Sequence, residues 1–263
     1  MREMRRALIA GNWKMNLVVE EVVSLIEGIL QCGSRRASVD VLICPPFPYL
    51  ERAVAMTQGT EIQVGAQNVH HEQGGAFTGE VSSSMLKSLR CSHVIVGHSE
   101  RRALFHENND EINRKLKSIL HWGLAPVLCI GESLEQRRAG VTRQVLNEQL
   151  IYGLQGIDNE GVGRIVVAYE PVWAIGTGMS ATSGQVQETH RFIRETLSQF
   201  SHAEVAGTVR VIYGGSVNPD NAAGLLEQED VDGVLVGGAS LNAESFCAIV
   251  ERAVSAKESD HAG

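Results

Sequence analysis

Several side chains that could do chemistry stand directly after short apolar runs of the sequence. Glu170, His98 and Lys14, an acid, a base and a cation, each follow a different run, and Asn12 stands beside Lys14. Glycine pairs follow two further runs, as Gly214, Gly215 and Ser216 after one and as Gly237 and Gly238 after the other. Main-chain amides at glycines can approach an anion closely, and such amides near a helix N-terminus bind phosphate well. These residue types predict an anion site flanked by acid, base and cationic side chains.

The apolar runs that precede these residues recur along the whole chain. They are bounded by glycine or proline and cover residues 7–13, 39–46, 62–68, 93–98, 124–132, 164–171, 208–216 and 232–240. The runs are rich in valine and isoleucine and do not alternate with polar residues, which is typical of parallel strands buried on both faces. The pattern therefore predicts eight parallel strands.

Polar stretches with helical spacing separate the predicted strands. Residues 17–30 and 112–120 each carry an apolar stripe, and Thr182 followed by Gln185 is typical of a capping box at a helix start. Such alternation fits either a closed barrel or an open doubly wound sheet, and the strand count favours the barrel. No G-x-G-x-x-G follows the first run and no G-x-x-x-x-G-K-[ST] occurs, which weakens the case for dinucleotide and nucleoside triphosphate sites.

The chain of 263 residues has the length of a single α/β barrel, about 250 residues. We predict one α/β domain over residues 1–263, a single eight-stranded parallel (β/α)8 barrel with its core at about 7–250 and a polar tail at 255–263. The C-terminal ends of barrel strands share one face, where active sites are built. Taken singly, each polar residue is more typical of an ordinary structural role, and their shared position at strand ends favours a site.

Composition and charge argue against several classes of function. Lysine and arginine total 23 against 31 aspartates and glutamates, so the net charge of −8 disfavours broad binding to nucleic acid or to an anionic membrane. No run approaches the roughly 20 apolar residues of a membrane span. The adjacent His70 and His71 lack metal-ligand spacing, so we expect no metal. The five widely spaced cysteines are typical of a reduced compartment, which predicts a cytoplasmic protein.

Six segments of the sequence resemble the triosephosphate isomerase family. They are GNWKMN, GAFTGE, VIVGHSERR, YEPVWAIGTG, YGGSVNP and DGVLVGGASL, in the family's order, and the resemblance runs from about Ala7 to Val250. It implies a TIM barrel and an aldose–ketose isomerase of glycolysis and gluconeogenesis. The implied reaction interconverts dihydroxyacetone phosphate and D-glyceraldehyde 3-phosphate through an enediolate, without a cofactor or a metal.

The resemblance also implies a role for individual residues. Glu170 is then the base, His98 is the electrophile that polarises the carbonyl, and Lys14 and Asn12 bind and polarise the substrate. Backbone amides would hold the substrate phosphate at Gly176, Ser216, Gly237 and Gly238. The loop Gly75 to Glu80, with Thr78, would insert into a second copy of the chain and form a homodimer.

The sequence departs from the family pattern at a few positions. By the resemblance, the segment Val172 to Thr177 would close over the substrate as a lid. Met179 and Ser180 stand where lysine and threonine are common after this lid, and His106 stands where glycine is usual. We therefore expect altered lid timing with the chemistry retained. Two alternatives stay open at this point: an aldolase-type barrel that forms a Schiff base at Lys14, and a barrel that binds sugar phosphates without catalysis.

Overall fold

The computed structural model of the chain describes residues 5–31, 38–175 and 180–260, with side chains described up to residue 256. The strands are β1 (Ala7–Asn12), β2 (Val39–Cys44), β3 (Ile62–Ala66), β4 (His93–Val96), β5 (Ala125–Ile130), β6 (Val166–Tyr169), β7 (Arg210–Tyr213) and β8 (Gly233–Val236). The helices are α1 (Val19–Gln31), α2 (Leu50–Thr57), α3 (Ser83–Ser88), α4 (Ser99–Leu104), α5 (Asn109–His121), α6 (Leu134–Arg138), α7 (Thr142–Leu154), α8 (Asn159–Gly163), α9 (Ser183–Phe200), α10 (Ala203–Thr208), α11 (Ala222–Leu226) and α12 (Ala243–Asp260). Short 3₁₀ turns cover Phe47–Tyr49, Val172–Ala174 and Gly238–Leu241.

The strands form a closed barrel in which they follow one another in chain order. All neighbours are parallel, and β1 closes the barrel by pairing with β8, from Leu8 opposite Gly233 to Gly11 opposite Val236. Closure leaves no strand edge exposed and brings every C-terminal strand end to the same face. The predicted eight-stranded barrel is confirmed.

Successive residues of seven of the eight strands, all but β3, pack into two different cores. In β1, Leu8 and Ala10 belong to a cluster made only of strand residues, which fills the barrel, whereas Ala7 and Ile9 pack with residues of the surrounding helices. A strand directs alternate side chains to opposite faces, so strands that are apolar at every position fit between these cores. The continuous apolar runs of the sequence have this cause.

Helix starts are set by capping side chains. Thr182 accepts a hydrogen bond from the main chain of Gln185, whose side chain accepts one in return, so the predicted capping box opens α9. Ser133 and Gln136 form the same reciprocal pair before α6. Each cap satisfies helix N–H groups that have no partner within the helix, which is typically worth about 1 kcal/mol.

Buried charges join α9 to the N-terminal ends of the last two strands. Arg194 of α9 lies 2.9 Å from Asp230 and 2.6 Å from Asp232, and its side chain is 7% exposed. Asp232 also accepts the N–H of Val211 at 2.8 Å and pairs with Arg5 at 2.6 Å. A buried ion needs such partners to offset its lost hydration. This network lies opposite the C-terminal face and serves stability.

The observed elements differ from the expected ones in three respects. The strands end before the predicted runs do, because the last residues of each run already form the loops at the C-terminal face. Helix α12 continues to Asp260, into the segment 255–263 that we expected to be a polar tail. Cys44, Cys91 and Cys129 are buried free thiols as expected, but Cys247 is disulfide-bonded, so the inference of reduced cysteines does not hold for Cys247. A disulfide requires proximity in space, which spacing along the chain does not report.

No helix in the described part of the chain is both long enough and apolar enough to cross a membrane.

Candidate active site

One cavity at the C-terminal ends of the strands brings the predicted residues together. Its volume is about 530 Å³, and its lining includes Asn12, Lys14, His98, Glu170, Gly214, Gly215, Ser216, Gly237 and Gly238. Apolar side chains of Ile175 and Leu235 complete part of the wall. Gly176, the remaining expected phosphate-binding residue, lies outside the described residues. The barrel therefore joins residues from β1, β4, β6, β7 and β8 in one place.

Glu170 stands directly after β6 and is 2% exposed. Its Oε2 accepts the main-chain N–H of Ser99 at 3.0 Å, and its Oε1 lies 3.2 Å from Nε2 of His98. Its own N–H donates to the carbonyl of Ile130 at 2.7 Å, which ties the acid to strand β5. The carboxylate is therefore buried at the cavity wall and fixed through both its side chain and its backbone.

Cys129 of β5 packs against the same carboxylate inside the barrel. Burial, followed by the negative charge of Glu170, raises the pKa of this thiol well above its usual range. The thiol therefore stays neutral beside the acid and adds no second negative charge there. Cys129 thus packs as a small, uncharged side chain in contact with Glu170.

His98 caps α4, and its ring orientation follows from that role. Nδ1 accepts the main-chain N–H of Glu100 at 3.2 Å. A ring nitrogen that accepts a hydrogen bond carries no proton, so the proton of the neutral imidazole is assigned to Nε2. Nε2 faces Glu170, and His98 lines the cavity. The residue thus presents a neutral N–H donor to any bound molecule.

Lys14 is held in an unfavourable backbone conformation beside this pair. Its φ of 53° lies in the left-handed region, which residues with a side chain rarely adopt. Gln67 donates from Nε2 to the carbonyls of both Lys14 and Cys44, each at 2.8 Å, and Asn12 Oδ1 accepts the Lys14 N–H at 3.0 Å. The ammonium group forms an ion pair with Glu100 at 2.5 Å. Strain that neighbours hold in place is typical of functional sites.

The two glycine pairs have different surroundings. A Cβ atom on Gly214 would lie 2.8 Å from Cγ of Glu170, and one on Gly215 would lie 2.1 Å from the hydroxyl oxygen of Tyr213, so neither position accepts a side chain. A Cβ on Gly238 would meet nothing within 4 Å, and one on Gly237 would meet only Cε of Lys14, at 3.7 Å. Open space therefore lies over the second pair, next to the ammonium group of Lys14.

Glu132 is a buried acid beside the candidate site that the sequence reasoning missed. It is fully buried, and its Oε1 accepts hydrogen bonds from Arg137, from the hydroxyl of Tyr169 and from Nε1 of Trp173, all at 3.0–3.1 Å. Trp173 lies three residues after Glu170, so Glu132 anchors the start of the segment expected to act as a lid. It follows strand β5 closely, and the rule that found the other residues at strand ends would have found it.

The expected dimer loop lies on a face with exposed apolar side chains. Thr78 is exposed, and Phe77 beside it is 42% exposed and packs against His70. Further exposed apolar side chains are those of Met15 in the loop after β1, Met85 in α3, Leu104 at the end of α4 and Phe105 just after it. Gln67 and Glu100 bond to Lys14, which shows that these loops are spatial neighbours.

The structure describes two of the three positions that depart from the family pattern, His106 and Ser180. His106 has φ of 57°, so its backbone keeps a conformation that favours glycine although a histidine stands there. Ser180 is exposed, and Met179 lies outside the described residues. Within the described ranges, no three His, Cys, Asp or Glu side chains group to hold a metal ion.

Comparisons with known proteins agree with this geometry. The family model for triosephosphate isomerase matches residues 7–253. A triosephosphate isomerase of Syntrophotalea carbinolica is 50% identical over 94% of this chain and 98% of its own length. Those of Dictyoglomus turgidum and Carboxydothermus hydrogenoformans are 49% and 47% identical, over 94% and 95% of this chain and 99% and 100% of their own lengths. The chain therefore belongs to the triosephosphate isomerase family.

Proposed function

We propose that this isomerase interconverts dihydroxyacetone phosphate and D-glyceraldehyde 3-phosphate, with Glu170, His98 and Lys14 carrying the reaction. The observation that supports the assignment most directly is the pairing of Glu170 Oε1 with His98 Nε2 at 3.2 Å on the wall of the cavity that Lys14 also lines. A base, a neutral N–H donor and a cation then face the same bound molecule.

Glu170 takes the proton from the hydroxyl-bearing carbon next to the substrate carbonyl and returns it to the former carbonyl carbon. Between these two steps, His98 donates its Nε2 proton to the former carbonyl oxygen and takes the hydroxyl proton from the other oxygen, so that the two oxygens exchange roles. Loss of that proton leaves negative charge on oxygen, which donors must stabilise. His98 supplies Nε2–H, Lys14 supplies its ammonium group, and Asn12 has its amide nitrogen available because its Oδ1 already accepts the N–H of Lys14. Triosephosphate isomerases are the established example of a carboxylate base working with a neutral histidine.

Main-chain amides hold the phosphate group of the substrate in this proposal. Ser216, Gly237 and Gly238 line the cavity, and among the described residues only Lys14 comes within 4 Å of a Cβ placed on either glycine. Main-chain N–H groups at this end of the cavity, together with the Lys14 ammonium group that Glu100 pairs with, allow a chain with a net charge of −8 to bind a dianion. Gly176 adds a further amide if the lid closes as in the family.

Replacing the base tests the assignment. Glu170→Gln keeps the shape of the side chain but removes its basicity, so kcat should fall by about 100-fold to 10,000-fold in both directions. A coupled assay measures the loss, and competition by inorganic phosphate should show that binding is retained. Glu61→Gln, at an exposed acid before β3, is the matched control and should leave kcat unchanged.

The outcome also separates the main proposal from a barrel that only binds sugar phosphates. Well-folded wild-type protein without turnover on glyceraldehyde 3-phosphate would overturn the proposed activity. Wild-type turnover with normal turnover of Glu170→Gln would leave the activity standing and reject Glu170 as its base.

The ion pair of Lys14 disfavours the Schiff-base alternative. An ammonium group held by Glu100 at 2.5 Å has no lone pair with which to attack a carbonyl. Borohydride added during turnover should therefore leave the protein mass unchanged, whereas a substrate-sized mass increase at Lys14 would support the aldolase-type reaction.

We also propose that the protein is a homodimer through the loop Gly75 to Glu80. The exposed Phe77, Met15, Leu104 and Phe105 around that loop support this, because apolar side chains grouped on one face are typical of an interface. Sedimentation should give twice the chain mass of 28.5 kDa. Thr78→Arg should give the monomer mass, while Gln144→Arg, at an exposed position of α7, should remain dimeric. A monomeric wild type would refute the dimer.

The single domain over residues 1–263 and the cytoplasmic location stay predictions. Fractionation of the source cells with assay of each fraction tests the location.

A further inference from the structure

Gln149 of helix α7 makes two hydrogen bonds to one residue at the end of strand β5. Its Oε1 accepts the N–H of Gly131 at 2.8 Å, and its Nε2 donates to the carbonyl of Gly131 at 3.1 Å. The side-chain amide thus pairs with Gly131 through one acceptor and one donor, as a neighbouring strand would.

Gly131 needs this side chain because the adjacent strand is too short to pair with it. The register of β4 with β5 ends at Val96 opposite Leu128, before the chain reaches Gly131. On the other side, the carbonyls of Ile130 and Glu132 accept N–H groups of the segment that follows strand β6. Main-chain groups in a strand point to alternating sides, so those of Gly131 face the side where β4 has already ended. Gln149 supplies the two hydrogen bonds that a longer strand β4 would have made with Gly131.

Gly131 in turn presses against the backbone of the base. A Cβ atom on Gly131 would lie 1.7 Å from the carbonyl oxygen of Glu170 and 2.6 Å from its carbonyl carbon. The residues on either side of Gly131 hold the same segment, because Ile130 accepts the N–H of Glu170 at 2.7 Å and Glu132 accepts that of Val172 at 3.1 Å. Any movement of Gly131 therefore moves the backbone from which the carboxylate projects.

We propose that Gln149 is a positioning residue for Glu170 and acts through Gly131. The proposal rests on the proposed role of Glu170 as the base. Helix α7 has its own packing through the buried Leu146, Leu150 and Gly153, so it does not need the Gln149 amide to dock on the barrel. The amide instead sets where the end of β5 lies, and this determines how Glu170 meets His98 and the substrate. A displacement of the order of 1 Å at a reacting group can cost about 100-fold in rate.

Gln149→Met tests the proposal, because methionine keeps the length of the side chain and removes both hydrogen bonds. We expect kcat to fall by about 10-fold to 100-fold in both directions, while KM and competition by inorganic phosphate change by less than about three-fold. Gln144→Met, at an exposed position of the same helix, should match the wild type. Unchanged kcat in Gln149→Met would overturn the proposal, whatever happens to its melting temperature.

Gln149→Glu provides a second readout that a purely structural role would not produce. A protonated carboxyl can accept from the N–H of Gly131 and donate to its carbonyl, whereas the ionised form puts negative charge against that carbonyl. The kcat of this variant relative to wild type should therefore rise as the pH falls through the pKa of the introduced carboxyl. A ratio that is constant with pH would count against the proposal even if Gln149→Met does not fold. An inactive wild type would refute the proposed function, whereas an active wild type with active variants would refute only the role of Gln149.

Discussion

Nε2 of His98 lies 3.2 Å from Oε1 of Glu170, and both residues are at most 6% exposed. The main-chain N–H at Nδ1 of His98 keeps the ring proton on the nitrogen that faces the cavity. His98 is therefore positioned to stabilise an oxyanion without carrying a charge of its own.

Replacing this donor should slow turnover far more than it weakens binding. His98→Gln replaces the imidazole N–H with an amide N–H, which is a weaker acid and cannot exchange protons with the substrate oxygens, and loss of an oxyanion donor typically lowers kcat by about 100-fold to 1,000-fold. Steady-state kinetics in both directions measures the effect. His202→Gln, at an exposed histidine, should have wild-type kcat. A change of kcat below about ten-fold in His98→Gln would show that another group stabilises the oxyanion.

Arg194→Met should destabilise the fold without affecting the chemistry. The change leaves Asp230 and Asp232 buried without their main partner, and breaking a buried ion pair costs roughly 3–5 kcal/mol. Urea unfolding measures the loss. Arg191→Met, on the same helix, removes only an exposed pair with Glu195 and should cost less than about 1 kcal/mol. Equal losses in the two variants would contradict the role of the buried network.

His106→Gly should stabilise the protein. A histidine at φ of 57° carries a conformational strain of about 1–2 kcal/mol, and glycine relieves it while losing part of the gain through its greater freedom in the unfolded chain. We expect the free energy of unfolding to rise by about 0.5–1 kcal/mol at fixed protein concentration. His121→Gly, in helix α5, should lower it by a similar amount. A decrease in His106→Gly would mean that the histidine side chain makes a compensating contact.

Two buried histidines should make the fold sensitive to mild acid. Burial lowers the pKa of both His93 and His190 to about 4. Between pH 6.5 and pH 4 the unfolded chain therefore binds more protons than the folded one, and stability falls as the pH falls through this range. From pH 7.5 to pH 5, each histidine should cost roughly 2 kcal/mol.

Urea unfolding at these two pH values measures the effect. His190→Gln should be less stable at pH 7.5 but should lose less stability on acidification than the wild type, because it lacks one of the two groups. An identical pH dependence in the variant would contradict a neutral, buried His190.

The barrel and most of its site could be predicted because they depend on local pattern. Continuous apolar runs identify buried strands, and their number identifies a closed barrel, whose C-terminal face then collects the residues that follow each run. Lys14, His98 and Glu170 were found in this way. Glu132 follows the same rule and could have been found by it, but the sequence does not show that its carboxylate holds Trp173.

Gln67 and Gln149 could not be predicted in this way. Each is an ordinary glutamine whose role consists of hydrogen bonds to backbone groups that lie 53 and 18 residues away along the chain. Composition and spacing do not predict such contacts, because a glutamine in the same sequence context could equally have its side chain in solvent.

The sequence by itself determined which chemical groups this protein has, on which strands they stand and at which end of the barrel they meet. Only the tertiary structure decided the distance of 3.2 Å between His98 and Glu170, the direction of the His98 proton and the packing of Gly131 against the backbone of Glu170. The reason is physical: periodicity fixes the face on which a residue lies, whereas catalytic geometry depends on close packing between strands that the chain brings together only when the barrel closes.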